Sequence, residues 1–187
     1  MNVFAARQRA PVSTPATPRV IANFVAFQAG WFACVLGAAH GLPWAGTAFA
    51  AVIIVTHVFF AEQPRREIRL VAMALLIGIV WDSALVMLGW LDFSSGFFIA
   101  GVAPYWILAL WALFAITLRH SLAWLQARLL TAALVGAIAG PLAYWGGLRL
   151  GAVILVEPLH ALVALSIGWG LFTPLLLRLA RERAPAI

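Results

Sequence analysis

A chain of 187 residues that is 65% hydrophobic and only 10% charged, with a mean hydropathy of +1.02, cannot hide its apolar surface inside a soluble globule of its size. That excludes a soluble enzyme, a nucleic-acid reader and a disordered chain, and leaves an integral membrane protein. The net charge of +6 restores no nucleic-acid partner, because the basic residues punctuate apolar runs instead of forming a stripe.

In chain order, residues 1–19, with Pro11, Pro15 and Pro18 among Ser and Thr, read as a disordered tail. Six apolar segments follow, approximately 20–40, 44–61, 69–90, 98–118, 128–148 and 158–178, each near the roughly 20 residues that cross a bilayer as helix. Residues 179–187 form a short tail. The runs are continuous, without period-two alternation, so the expected architecture is all-α: a polytopic six-helix transmembrane bundle and not a barrel. Short connections make consecutive helices neighbours. No internal repeat suggests an inverted-repeat transporter.

All twelve basic residues are arginine, and eleven fall in the tails and the second and fourth connections. Arg149 alone lies in the odd-numbered connections. Positive charge stays cytoplasmic, so both termini are expected inside.

The first segment carries Ala22, Ala26, Gly30, Cys34 and Ala38, one small residue every fourth position, which predicts a close helix–helix seam. Such a seam closes within one bundle or meets a membrane-protein partner or a second copy. A single cysteine forms no disulfide within the chain and no CxxC site.

Asp82 is the most informative residue, placed by these boundaries roughly 3 Å beyond the middle of the third segment. An intramembrane carboxylate costs on the order of 2.5–3.5 kcal/mol on insertion scales, so it should face the bundle interior or a wet cavity. Gly78 and Gly89 on its face leave room for a neighbour. Gln28, at similar depth, is a candidate hydrogen-bond partner. Ser83, Tyr105, Trp106, Tyr144 and Ser166 gather from the middle towards the arginine-poor side, and are read with Asp82 and Gln28 as candidates to line a pocket. Interhelical hydrogen bonding accounts for the same residues equally well.

Glu157 and His160 share a helical face at i, i+3, with Arg149 near them in the same outer region. Their simplest meaning is a helix start, Glu157 favouring the dipole and Pro158 fitting the first turn. His57 lies inside the second segment and His120 in the fourth connection. No HExxH, GxSxG or glycine-rich phosphate loop occurs, no metal or cofactor is expected, and an enzymatic role is left open.

The runs NFVAFQAGW (23–31) and Trp81-Asp82-Ser83, the stretch PYWILALWALFAITL (104–118) with His120-Ser121, and Gly140-Pro141-Leu142-Ala143-Tyr144 resemble a family of small bacterial inner-membrane proteins classed only as a domain of unknown function. The resemblance covers about residues 20–178. It implies a multi-pass inner-membrane location and gene neighbourhoods with enzymes that modify fatty acyl chains, and it supplies no catalytic residues. Three functions follow. The first is a protein that binds or remodels a membrane lipid or other apolar ligand near Asp82. The second is a substrate-binding or accessory transport subunit, since those of energy-coupling-factor transporters are similar in size and use a small-residue stripe on the first helix. The third is an intramembrane enzyme pairing Asp82 with His57 or His160.

Overall fold

The computed structural model describes residues 17–181, so most of the expected N-terminal tail and residues 182–187 lie outside the described residues. Among the described residues there are six α-helices: α1 (Thr17–Ala39), α2 (Pro43–Phe59), α3 (Pro64–Met87), α4 (Tyr105–Ala115), α5 (Leu129–Arg149) and α6 (Pro158–Ala180). Two short strands, β1 (Leu91–Phe93) and β2 (Val153–Leu155), pair antiparallel with Asp92 opposite Ile154. They tie the α3–α4 connection to the α5–α6 connection. Three-residue strands carry no alternation long enough to register in the sequence.

Glycine and proline punctuate one end of the bundle. Helices α1, α3 and α5 each stop at a glycine of positive φ: Gly41 at 73°, Gly89 at 70° and Gly151 at 84°. At each, the next amide bonds back to a carbonyl five residues earlier, as from Trp90 to Leu85 (3.0 Å) and from Ala152 to Gly147 (2.9 Å), the pattern of a Schellman cap. The helices that restart from this end have Pro43 and Pro158 in the first turn of α2 and α6, and Pro104 as the N-cap of α4. The opposite end gathers the arginines, and there the chain after α4 meets both Asn23 of α1 and the start of α3.

The fourth helix departs from its expected span of 98–118. Gly96 and Gly101 adopt φ of 88° and 79°, and Pro104 is extended (ψ 150°), so helix begins only at Tyr105. Hydropathy could not register this because the loop is itself apolar. At eleven residues α4 is about 16 Å long, roughly half a bilayer core. It is also the most enclosed helix, with Trp106, Ile107, Trp111 and Leu113 buried among α1, α2 and α3. Irregular backbone flanking a short helix is tolerable at membrane depth when protein surrounds it. Here Gly96 accepts from the Tyr105 amide (3.1 Å) and Ser95 from the Trp106 indole (2.9 Å).

Helices α1, α3, α5 and α6 are long and apolar enough to cross a membrane, and α2 and α4 are shorter apolar helices. The exterior matches: Val52, Val55, Leu76, Val80, Ile138 and Ile167 are 58–65% exposed around the bundle. Soluble monomers rarely present such a belt. The chain is a multi-pass, all-α membrane protein.

Candidate functional site

Asp82 is fully buried, and both of its oxygens accept from aromatic donors. The Trp111 indole donates to Oδ2 (2.6 Å) and the Tyr144 hydroxyl to Oδ1 (2.5 Å), joining α3 to α4 and α5. Gly78, one turn earlier, makes this possible, since a Cβ there would stand 2.6 Å from the Trp111 indole nitrogen. The space expected beside Asp82 is therefore filled by the ring that bonds it. Gly89 lies beyond the end of α3, in the cap.

Two expectations for Asp82 are corrected. Because α3 starts at Pro64, Asp82 lies roughly 10 Å past the helix midpoint instead of 3 Å. Gln28 is not its partner: α4 stands between α1 and α3, and the hydrogen bonds of Asp82 go to Trp111 and Tyr144.

On the other side of Trp111 and Tyr144 lies a cavity of about 470 Å³ between α1, α4, α5 and α6. Trp31, Trp106, Trp111 and Trp169 dominate its wall, with Gln28 and Tyr144 among few polar side chains. Trp111 and Trp169 stack at 4.5 Å and 12°. The polar atoms of three lining rings point away from the space, Trp111 and Tyr144 to Asp82 and Trp106 to Ser95. What they present to the cavity is carbon. Asp82 itself does not line it; the carboxylate holds the wall from behind.

The cavity opens sideways. Phe24 and Phe32 of α1 and Val135 and Leu142 of α5 line it while also facing the exterior. Helices α1 and α5 do not pack together along this gap, apart from Trp31, which reaches Gly146 near the glycine-capped end. At the arginine-rich end the lining passes into Thr117 and Ser121, and Ser121 donates to Asn23 Oδ1 (2.7 Å).

Of the remaining pocket candidates, Ser83 accepts from the Ala103 amide (2.9 Å) and Tyr105 packs on Phe98 at 4.6 Å. Neither they nor Ser166 line the cavity. In the small-residue stripe, Gly30, Cys34 and Ala38 are buried, Ala26 is half-buried and Ala22 exposed. A Cβ at Gly30 would meet the Leu113 side chain at 2.6 Å, so this part of the stripe faces α4 of its own chain.

Glu157 and His160 are both about 60% exposed, 3.7 Å apart, at the start of α6. Trp90 stacks on His160 at 5.5 Å. The Arg149 guanidinium lies over Trp145 (5.9 Å), and no Arg149–Glu157 ion pair forms among the described residues.

The arginine-rich end holds a group that sequence reasoning missed. Glu67 is buried, with its carboxylate 3.5 Å from His57 and 3.3 Å from Arg119. His57 meets His120 edge-on at 4.7 Å. Burial and the neighbouring His57 hold His120 below the ordinary imidazole pKa, with Glu67 opposing them. An acid three residues after a helix-starting proline ordinarily reads as a dipole partner, so nothing local marked Glu67.

Residues 20–175 match a family described as "Protein of unknown function (DUF2878)". No curated protein and no solved structure matches the chain.

Proposed function

We propose, for this chain that belongs to the DUF2878 family of proteins of unknown function, that the lateral cavity holds a lipid acyl chain or a similarly apolar ligand taken directly from the bilayer. One observation carries the reading: a space walled by aromatic carbon opens between two lipid-facing helices, and three of its lining rings, Trp106, Trp111 and Tyr144, turn their polar atoms elsewhere. Its volume falls in the range of about 300–1,000 Å³ usual for small-molecule sites. A water-soluble vitamin-like substrate would meet few hydrogen-bonding groups there. Asp82 serves the site by fixing Trp111 and Tyr144 and not by touching the ligand.

The arginine distribution supports an orientation with the arginine-rich end on the cytoplasmic side, and a bacterial inner membrane is the location the family resemblance implies. The polar mouth near Thr117 and Ser121 then suits a headgroup at the cytoplasmic leaflet, and the aromatic wall suits the chain.

The test is lipid retention by the full chain purified in mild detergent, read by mass spectrometry. Ala143 lines the cavity on α5, so Ala143→Trp should fill it, strip the co-purifying lipid and leave the unfolding temperature unchanged or higher. Ile138→Trp, on the lipid-facing side of the same helix, should retain it. Equal retention by both variants, or a water-soluble molecule in the cavity, would sink the proposal.

A further inference from the structure

Apart from the cavity, three distant segments converge at the arginine-rich end: His57 in the last turn of α2, Glu67 in the first turn of α3, and His120 in the turns that follow α4. One ring nitrogen from each histidine and one carboxylate oxygen lie within 4.8 Å of one another. His57 Nε2 and Glu67 Oε2 stand 3.5 Å apart, and both atoms are buried without a hydrogen-bond partner. Glu67 as a residue is only 3% exposed. The other carboxylate oxygen, Oε1, faces the Arg119 guanidinium at 3.3 Å. One oxygen is thus held by the protein, while the other faces the His57 imidazole, with the His120 ring close by. Buried polar atoms left unmatched cost about 1–3 kcal/mol each, more where the group is charged. A cation that accepts all three lone pairs would satisfy them together.

We propose that His57, Glu67 and His120 form a binding site for one divalent transition-metal ion of the zinc class, with a further coordination position open. A tetrahedral ion with bonds of about 2.0–2.1 Å sets neighbouring ligand atoms roughly 3.3 Å apart, and His57 and Glu67 already stand close to that spacing. The half-buried His120 ring completes the set by turning inwards. Two imidazoles and one carboxylate suit a borderline ion, whereas calcium and magnesium call for oxygen donors throughout. Arg119, through Oε1, supplies the outer hydrogen-bonding support that orients a ligating carboxylate. Because each ligand comes from a different segment, no compact motif in the sequence announces the site. His120 adjoins Ser121, which lines the cavity, so a bound ion would sit beside its polar mouth.

The test uses the full chain, carrying no polyhistidine tag, in chelator-free detergent. Zn²⁺ is titrated by calorimetry and Co²⁺ by visible absorption. The expected result is one ion per chain, Co²⁺ bands of a low-coordinate site, and a rise in unfolding temperature on adding Zn²⁺. Glu67→Gln and His120→Gln should each weaken binding roughly tenfold or more. The double variant His40→Ala/His160→Ala, which removes the other two histidines, should bind as the parent does. If Glu67→Gln does not fold, His120→Gln decides, since that ring is only half-buried. The absence of one-to-one uptake by the parent, or uptake undiminished in His120→Gln, overturns the proposal.

Discussion

Asp82 receives two hydrogen bonds that differ in adaptability. The indole N–H of Trp111 only donates, whereas the Tyr144 hydroxyl donates or accepts. An asparagine at 82 can therefore turn its carbonyl to Trp111 and its amide to the Tyr144 oxygen. Asp82→Asn should cost about 1 kcal/mol, against about 2–6 kcal/mol for Asp82→Leu, which strands both donors. Thermal unfolding in detergent, followed by tryptophan fluorescence, measures the difference. Equal losses would mean that the carboxylate matters for its charge and not for its geometry. An acid this deep was legible in the sequence as inward-facing, because lipid offers it no partner. Its actual partners were not legible: Trp111 and Tyr144 lie 29 and 62 residues away, and only the folded bundle brings them together.

Between elements, close approach is achieved largely by fitting a tryptophan onto a glycine of the next helix. Trp111 lies on Gly78, Trp169 on Gly140 and Trp81 on Gly168. The four-residue spacing of small side chains on α1 pointed to a seam of backbone on backbone. That kind of contact is tightest at the stripe's Cys34 and its neighbour Ala33, where Gly46 of α2 lies against the backbone of both. At Gly30 the obstacle is instead the end of the flexible Leu113 side chain. Gly46→Ala should therefore destabilise by about 2–3 kcal/mol or more and Gly30→Ala by roughly 1 kcal/mol or less, with Gly30→Leu disruptive. Unfolding temperatures of the alanine pair test the order, and its reversal would show that α2 shifts away more easily than Leu113 rotates. Helix number was readable because each helix, the shorter α2 and α4 included, lies within a long apolar run. The break before α4 was not, because Gly96, Gly101 and Pro104 interrupt the helix without interrupting the hydropathy.

For the whole molecule, the ends differ in both charge and construction. One carries most of the arginines; the other is closed by glycine caps, proline starts and the β1–β2 ladder. If the arginine-rich end is cytoplasmic, a thiol at the exposed Leu150 should react with a membrane-impermeant maleimide in intact cells. One at the exposed Glu62 should react only after lysis. Leu150→Cys and Glu62→Cys are the two reporters, and the native Cys34 is buried, leaving a quiet background. Labelling of both from outside would contradict the orientation.

On the proposed reading, the sideways opening of the cavity changes what affinity means for a lipid ligand. A ligand entering between α1 and α5 leaves hydrocarbon and not water. The gain of about 25 cal/mol per Å² for removing apolar surface from water is realised on joining the bilayer, and seating adds little to it. Selection must then come from shape, through dispersion contacts of about 0.1–0.2 kcal/mol per atom pair against the stacked Trp111–Trp169 wall. Lengthening a straight chain should alter binding little, whereas a bend, branch or ring that meets those indoles should alter it much more. Occupancy would follow the mole fraction of such a lipid in the membrane, whatever its concentration in water.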